Sequence, residues 1–411
     1  MKMEAYVAGV GMTRFGKHLD RSLKSLAGEA IELALKDAGL SLSEVQAAYM
    51  GNAAGGVIQG QEMISGQVAL RELGVGHIPV VNVENACATS STAVNQACAM
   101  VSAGFYDVVL ACGFEKLYHI DKKRTFAAFD GAVDTEKPAG MADALKVLAE
   151  RAGLTLDADT AGVDRSVFMD IYALMTQAHM NRFGTTAKQM AQVSAKNSFH
   201  ASLNPLAQFQ EVLTLDEVLA AREIVYPLTL PMCSPVADGA AAVLIVSKDR
   251  ARRLSRKTGV SVLSSALVSG WDGTTKVGAF AAQQAYEAAS LGPEDISLVE
   301  LHDASAPSEI MAYEYLGLCE EGEGGALVEQ GTTRLGGALP VNPSGGLLRK
   351  GHPIGASGAA QIVEITKQLR GEAGDRQVAN AQRGLAHNGG GMIDIDAAAT
   401  VVTILSVEEL R

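Results

Sequence analysis

The sequence has no long hydrophobic run, few aromatic residues and only five cysteines. Its longest apolar stretches, such as 239–246, fall well short of the roughly 18 to 20 residues that cross a bilayer, so we expect no membrane insertion. An odd number of cysteines without CxxC spacing fits neither a disulfide framework nor a zinc site, so we expect no metal. Residues 1–17 contain no long apolar segment and 408–411 is no peroxisomal tripeptide, and we therefore expect a cytoplasmic protein.

Basic residues are also few. Lysine and arginine number 34 against 46 acidic residues, for a net charge of −12, and no basic stripe alternates with aromatic residues. We therefore expect no nucleic-acid partner, because binding to phosphate backbones relies on clustered positive charge. The 411 residues are 48% hydrophobic and 19% charged, which is typical of a compact globular protein of two or three domains.

Strand-like and helical patterns alternate through the first 113 residues. Strands are predicted at 5–11, 79–84 and 107–113, and helices with apolar residues at helical spacing at 23–37 and 89–102. This order predicts an α/β layered fold with right-handed crossovers and a largely parallel sheet.

A repeat connects two distant parts of the chain. Ala30–Leu40, followed by Glu44 and Val45, resembles Ala281–Leu291, followed at the same offset by Asp295 and Ile296. Each copy predicts a helix, a turn, an acidic residue and then a strand, at 47–51 and 297–302. Two duplicated α/β halves explain this pattern, although αβ units also resemble one another without duplication.

Residues 117–223 differ in composition from both copies of the repeat. They are polar, helical in pattern and rich in methionine, which predicts an inserted helical loop domain. Strand character returns at 227–246, where Ala237-Asp238-Gly239 predicts a hairpin turn. We therefore expect an N-terminal half formed by 1–116 plus 225–250, a loop domain at 117–224 and a C-terminal half at 255–411.

Cys87 lies where a predicted strand gives way to a predicted helix. A helix N-terminus presents free N–H groups and partial positive charge, which favour the thiolate and lower the pKa of a thiol. Cys87 is thus a candidate nucleophile, and the alternative is a small buried hydrophobic residue. That alternative suits the other four cysteines better: Cys98, Cys112, Cys233 and Cys319.

Three histidines lie in polar or glycine-rich segments after predicted strands or before a predicted helix. His352 lies in Gly351-His352-Pro353-Ile354-Gly355-Ala356-Ser357-Gly358, His302 precedes Asp303, and His387 precedes Asn388-Gly389-Gly390-Gly391. A neutral His352 at a helix start could act as a base toward a thiol. A phosphate loop is the rival interpretation of the His352 segment, but the lysine of a P-loop is missing. Because ligands gather beyond the carboxyl ends of strands, we expect Cys87 and the three histidines to converge, although each histidine alone is more often structural.

The cysteine in Asn85-Ala86-Cys87-Ala88-Thr89-Ser90-Ser91, the His352 segment and the closing glycine run together resemble those of thiolases. The similarity spans nearly the whole chain. Segments at 10–17, 227–230, 233–235, 238–241 and 302–303 resemble the sterol-carrier-protein or lipid-transfer branch. The resemblance implies two α/β halves in five layers with a loop domain, a homodimer or tetramer, and acyl transfer with coenzyme A as a substrate and not as a permanent cofactor.

The resemblance also implies residue roles. Cys87 would attack an acyl thioester while His352 accepts its proton, and an acyl-cysteine would form and be passed on. His352 and a water held by His302 would stabilise the thioester enolate, and the N–H groups of Cys87 and Gly389 would bind the acyl-enzyme oxyanion. Gly390, Asp303 and Ser357 complete the set of residues expected at the substrate.

One departure from the thiolase pattern leaves the reaction open. Typical thiolases place a second cysteine where this chain has His387, and the sterol-carrier branch often supplies that sulfur where this chain has Ala304. Proton transfer at the α-carbon would then involve His302 or His387. The leading hypothesis is a thiolase-type acyltransferase acting on a 3-oxoacyl-CoA with a lipid- or sterol-like acyl chain. The alternatives are a thiolase-like aldolase, which splits a 3-hydroxyacyl thioester and often needs an OB-fold partner protein, and an inactive acyl-CoA-binding scaffold.

Overall fold

A computed structural model describes residues 2–137, 139–154, 161–162, 165–254, 258–271, 273 and 276–410. The predicted start of the C-terminal half at 255 lies outside the described residues, and the three domain boundaries stay a prediction. Among the described residues no helix combines the length and the apolar character needed to span a bilayer.

The structure contains eleven strands and fifteen α-helices in its described residues. The strands are β1 (Lys2–Met12), β2 (Ala47–Gly51), β3 (Val80–Val83), β4 (Val108–Glu115), β5 (Glu223–Val225), β6 (Leu228–Thr229), β7 (Gly239–Val246), β8 (Thr258–Val268), β9 (Leu298–Glu300), β10 (Arg383–Ile393) and β11 (Asp396–Glu409). The helices are α1 (Leu23–Ala38), α2 (Gly55–Gln59), α3 (Ser65–Glu72), α4 (Thr89–Ser102), α5 (Lys122–Asp130), α6 (Gly140–Ala152), α7 (Val167–Phe183), α8 (Ala187–Ser202), α9 (Leu215–Ala220), α10 (Lys248–Arg252), α11 (Val277–Ala289), α12 (Ala306–Tyr315), α13 (Gly324–Glu329), α14 (Gly346–Lys350) and α15 (Ser357–Leu369).

Nine strands form one mixed sheet in the order β3-β2-β4-β7-β1-β8-β11-β10-β9. Three pairs of neighbours run in parallel, β2 with β3, β2 with β4, and β9 with β10, and the other neighbours among the described strands are antiparallel. The prediction of a largely parallel sheet is therefore wrong. Strand β10 turns back directly into β11, and β7 enters the sheet beside β4 from the opposite direction after the helical excursion, so both connections produce antiparallel pairs.

The sheet order confirms the duplication that the repeat predicts. The first half runs β3-β2-β4-β7-β1, and the second half runs in the equivalent order from β9 through β10 and β11 to β8. A parallel bridge between Val299 and Val341 takes the place in the second half that β3 has in the first. The two repeat copies lie on α1 and α11 and lead into β2 and β9.

Five layers arise from this symmetry. Helices α1 and α3 pack on the outer face of the first half, and α11 and α12 pack on the outer face of the second. Helices α4 and α15 lie between the two halves and share one core with strands from both. The amino ends of these two central helices carry the Cys87 and His352 segments to the middle of the molecule.

Helix α1 lies unusually close to β1. A Cβ built on Gly9 would come within 2.3 Å of the Ala34 carbonyl oxygen, and one on Gly11 within 2.4 Å of the Ala30 carbonyl oxygen. The missing side chains thus allow the helix backbone to contact the strand directly. Ser22 caps the helix by accepting from the Ser25 N–H, and Gly39 ends it in the left-handed conformation.

The predicted hairpin at 237–239 is wrong. Asp238 is fully buried, and its carboxylate accepts hydrogen bonds from the N–H groups of Leu117 (2.8 Å), Tyr118 (2.9 Å) and His18 (3.0 Å). Its backbone pairs with Gly16. Asp238 therefore connects the start of β7 with the segments at 16–18 and 117–118, because a buried carboxylate needs several N–H donors.

Candidate active site

Cys87 lies in a single 3-10 turn, Ala86–Ala88, between β3 and α4. Thr89 fixes this turn, since its hydroxyl donates to the Ala86 carbonyl (2.7 Å) and accepts from the Asn85 N–H (2.9 Å). Ala86 has a φ of 47°, a conformation that costs an L-residue free energy and is typical of functional turns. Cys87 therefore lies between a strand and a helix, as we predict, and the connection is a tight turn.

Strand β10 packs against this turn through Gly390. A Cβ on Gly390 would come within 2.2 Å of the Asn85 carbonyl oxygen and 2.5 Å of the Ala88 nitrogen. A Cβ on the neighbouring Gly389 would meet nothing within 4 Å. The glycine run thus allows the β10 backbone to approach Cys87 and leaves open space beside Gly389.

The prediction that the Cys87 thiol has a lowered pKa is wrong. Burial, together with the carboxylates of Glu115 and Glu84, raises its pKa to about 12, although a backbone hydrogen bond acts in the opposite direction. Burial also raises the pKa of Cys98 to about 12, so the pKa does not distinguish the candidate nucleophile from a core cysteine. The side chains next to Cys87 distinguish it from a core cysteine, because a thiol with a high pKa needs an adjacent base to become a nucleophile.

His352 provides such a base. Its Nδ1 lies 2.8 Å from the Ser357 hydroxyl oxygen, and that hydroxyl donates to the Pro353 carbonyl at 3.1 Å. Nδ1 must then carry a proton and donate, which leaves Nε2 with a free lone pair. Burial, and to a lesser degree His302 and Lys350, holds the pKa of His352 well below its usual range. The imidazole is therefore neutral as we expected, but mainly because it is buried.

His302 lies against His352 with its ring edge-on at a centroid distance of 5.3 Å. Its Nδ1 is 3.3 Å from the Asn388 amide nitrogen, which donates to it and leaves the proton of His302 on Nε2. Burial lowers the pKa of His302 to about 4. The Cys87 sulfur and one ring nitrogen from each of these two histidines lie within 4.8 Å of one another.

His387 lies on β10 behind His302. Its Nδ1 accepts from the His302 backbone N–H at 3.5 Å, and its Nε2 is 3.5 Å from the Tyr315 hydroxyl. Burial lowers its pKa to about 3. The structure thus brings Cys87, His302, His352 and His387 together, as we expected from their places after strands and before helices.

Asp303 contacts the segment that precedes His352. It is fully buried, and its oxygens accept from the N–H groups of Leu347 (2.6 Å) and Leu348 (3.4 Å) and from the Asn197 amide (2.9 Å). These contacts hold the start of α14, which precedes His352. Two of these three donors lie at the start of α14, which makes Asp303 a candidate for positioning this segment, and its expected role at the substrate stays a prediction.

Sequence reasoning missed Glu115, which lies behind the nucleophile turn. Its fully buried carboxylate accepts from the N–H groups of Ala53 (3.1 Å), Ala54 (3.1 Å) and Gly355 (3.0 Å), and so joins the loop after β2 to the His352 segment. Burial raises its pKa to about 7 even though these donors act to lower it. An acidic residue at the end of the apolar strand Val108–Glu115 was the available signal.

Tyr172 and Tyr315 were missed as well, because neither residue belongs to one of the recognised motifs. Tyr172 is on α7, in the region predicted as a loop domain, and Tyr315 is the last residue of α12. Burial, and secondarily the Cys87 thiol, raises the pKa of Tyr172.

The ligand atoms of Cys87, His302 and His352 are also of the kinds that Zn²⁺ binds. A soft divalent cation could bind these three side chains in competition with substrate. Their neutral imidazoles are suited to this, since a metal ligand must give up its proton first.

Comparison with known families gives matches to both halves of the chain. Residues 5–217 match the family described as thiolase, N-terminal domain, and residues 259–406 match the family described as thiolase C-terminal domain-like. These two ranges include the Cys87 turn and the three candidate histidines.

Individual relatives are similar over nearly the whole chain. An acetyl-CoA acetyltransferase of Methanothermobacter thermautotrophicus is 40% identical, covering 94% of this chain and 96% of the relative. Sterol carrier protein 2 of Bos taurus is 38% identical, covering 94% and 70%. The benzoylsuccinyl-CoA thiolase subunit BbsB of Thauera aromatica is 36% identical, covering 95% and 96%.

A solved structure of similar fold is named Ltp2-ChsH2(DUF35) aldolase. It superimposes with a TM-score of 0.76 at 26% identity, and 97% of each chain is covered. The family matches, the relatives and the duplicated five-layer fold all agree. The chain therefore belongs to the thiolase family of acyltransferases.

Proposed function

We propose that the protein cleaves or forms a 3-oxoacyl-CoA through an acyl-cysteine on Cys87. The observation that carries this proposal is the fixed tautomer of His352. The Nδ1 proton of His352 is donated to the Ser357 hydroxyl oxygen, 2.8 Å from Nδ1, so the basic Nε2 is available to the Cys87 thiol. The ligand atoms of Cys87, His352 and His302 lie within 4.8 Å of one another.

In the acylation step the Cys87 proton passes to His352 as the sulfur attacks the carbonyl carbon. The high pKa of the thiol keeps the sulfur protonated until substrate arrives, which limits unproductive alkylation of the free enzyme. The oxyanion is stabilised by the N–H groups of Cys87 and Gly389, because β10 reaches the nucleophile turn at Gly390 and leaves space beside Gly389. His302 donates from Nε2 toward the thioester oxygen, since Asn388 occupies its Nδ1.

Two features narrow the substrate. Coenzyme A enters as a substrate, in keeping with the relatives named acetyl-CoA acetyltransferase and benzoylsuccinyl-CoA thiolase. The similarity to sterol carrier protein 2 supports a lipid- or sterol-like acyl chain.

Ser357 acts as a positioning residue for His352, and Asp303 positions the segment that precedes it.

The test is the intact mass of the protein after incubation with acetyl-CoA. Wild type should gain one acetyl group, Cys87→Ala should gain none, and Cys319→Ala, which removes a half-buried cysteine with no place in the site, should react like wild type. An unmodified wild-type protein that still binds acetyl-CoA would instead support the inactive scaffold.

A thiolase-like aldolase is the second candidate. The similar solved structure is named as an aldolase with a DUF35 component, and both positions that supply a second sulfur in related chains hold other residues here, Ala304 and His387. Retro-aldol cleavage needs a base but no acyl-enzyme. Release of an aldehyde or ketone from a 3-hydroxyacyl-CoA by Cys87→Ala would favour this candidate.

The proposal includes protein partners. Strand β3 lies at the edge of the sheet with Val81 exposed, and the neighbouring Met63 and Ile64 are 75% and 57% exposed. This open edge supports a homodimer or a tetramer, because unpaired strand edges with apolar neighbours favour association. The DUF35 component of the similar aldolase and the relative called a subunit support a partner protein, for which the aldolase resemblance implies an OB fold. Light scattering of the purified protein measures the size of its homo-oligomer. Light scattering after copurification tests for a bound partner protein.

A further inference from the structure

We propose that the Tyr315 hydroxyl, held by His387, exchanges the proton with the α-carbon of the second acyl thioester. This inference rests on the proposed acyl-cysteine reaction. In related chains a second sulfur serves that step, and here the two corresponding positions hold Ala304 and His387. The reaction still requires an acid to protonate the enolate that carbon–carbon cleavage releases.

The fold fixes the Tyr315 side chain against His387. The two rings meet edge-on at a centroid distance of 5.3 Å, with the Tyr315 oxygen 3.5 Å from His387 Nε2. Helix α11 makes room for the ring at Gly278, where a Cβ would come within 2.7 Å of it. Tyr315 also lines an open cavity of 610 Å³ between α11 and the end of α12.

The tautomer of His387 decides which of the two groups moves the proton. Its Nδ1 accepts from the His302 N–H at 3.5 Å, so Nε2 carries the ring proton and donates to the Tyr315 oxygen. His387 then has no free lone pair for the substrate, whereas the phenol proton is free to leave. His387 is therefore a positioning residue and Tyr315 the proton carrier.

The surroundings keep Tyr315 protonated. Burial, and secondarily Tyr172, raises its pKa above the ordinary range for tyrosine. Burial and Cys87 likewise raise the pKa of Tyr172. Close contacts connect Tyr315 through His387 and His302 to the Cys87 site, so these side chains form one group in which a neutral phenol is ready to act as an acid.

The protons balance through both half-reactions. Cys87 transfers its proton to His352 and attacks the 3-oxo carbon, the bond between C2 and C3 breaks, and the enolate carbon takes the proton of Tyr315. Coenzyme A then gives its thiol proton to the Tyr315 phenolate and attacks the acyl-cysteine. The Cys87 sulfur leaves and recovers its proton from His352.

Hydrogen exchange separates this role from acylation. Acetyl-CoA is incubated with enzyme in D₂O, and deuterium in its methyl group is measured by mass spectrometry beside the acetylation of Cys87. Wild type should do both. Tyr315→Phe should keep acetylation and exchange roughly 100-fold or more slowly, in the range of a lost general acid. Tyr286→Phe is the matched control, since it removes a tyrosine hydroxyl that donates to the Leu316 carbonyl, outside the group described above.

His387 should act through Tyr315. His387→Gln, which keeps an N–H donor, should retain more exchange than His387→Ala. Two outcomes would overturn the role of Tyr315 and leave the acyl-cysteine reaction standing. One is exchange at the wild-type rate in Tyr315→Phe, and the other is a wild type that acetylates normally but shows no exchange. Failure of wild type to acetylate would overturn the acyl-cysteine reaction itself.

Discussion

The Glu115 carboxylate accepts a hydrogen bond of 3.0 Å from the Gly355 N–H, although 240 residues separate the two. It also accepts from Ala53 and Ala54, and after burial it is the largest cause of the raised pKa of Cys87. One buried carboxyl group thus joins the first half of the fold to the His352 segment, and in its ionised form it also disfavours the Cys87 thiolate.

Glu115→Gln should change two pH dependences. Burial raises the pKa of Glu115 from its ordinary 4.5 to about 7, so between these values the folded protein holds a proton that the unfolded chain has released. The free energy of unfolding should therefore fall as pH rises from about 4.5 to about 7, by on the order of 3 kcal/mol at most, and Glu115→Gln should lose this slope.

The same substitution should shift the alkylation of Cys87 by iodoacetamide to lower pH, because the repelling carboxylate is gone. Urea unfolding and labelling rates over pH 4 to 10 measure the two effects. Glu32→Gln, an exposed change on α1, should leave both unchanged. Identical profiles in wild type and Glu115→Gln would contradict the link between Glu115 and the thiol.

Ser357→Ala should slow the acylation of Cys87 and leave the fold intact. The hydroxyl fixes the tautomer of His352, and loss of such an orienting partner costs about 10- to 100-fold in comparable sites. Rapid-quench kinetics with acetyl-CoA measure the rate. Ser357→Thr retains the hydroxyl and should react within a few-fold of wild type. Equal loss in both variants would indicate a packing defect instead.

Gly390→Ala should displace the nucleophile turn. The new Cβ would come within 2.2 Å of the Asn85 carbonyl oxygen, so the turn or β10 must move, at a cost of about 1–3 kcal/mol in the free energy of unfolding. Gly389→Ala is a close control for stability, since its Cβ meets nothing within 4 Å and should cost less than about 1 kcal/mol. Chemical unfolding of both variants checks the difference, and equal stabilities would contradict the close approach.

Local patterns predicted the elements well and their contacts only in part. Helix α4 has its predicted bounds, Thr89–Ser102, and so does β2, because propensity and apolar spacing act within each segment. The prediction of a largely parallel sheet was wrong, because the strand directions depend on how β7 returns to the sheet more than a hundred residues after β4. Glu115 and Tyr315 were missed for the same reason, since their roles arise from contacts with residues far along the chain.

Acylation should persist in acid. Burial lowers the pKa of His302 to about 4 and holds that of His352 well below its usual range, so both imidazoles stay neutral at pH values where an ordinary histidine is already protonated. In the Glu115→Gln background, which removes a group titrating near pH 7, kcat/KM should show no decline between pH 7 and 5.5. A decline centred near pH 6.5 would show a histidine exposed to solvent.

Zn²⁺ should inhibit the enzyme by occupying the reaction centre. The Cys87 sulfur and the two histidine nitrogens within 4.8 Å are zinc ligand types, and zinc would release the thiol proton on binding, so inhibition should strengthen as pH rises. Binding is measured by titration calorimetry with ZnCl₂, with and without acetyl-CoA as competitor. His302→Ala should weaken binding, because it removes one of the three ligand groups. Cys319→Ala should bind as wild type does, because Cys319 lies outside the site. Undiminished zinc binding by Cys87→Ala would show that the ion binds elsewhere on the surface.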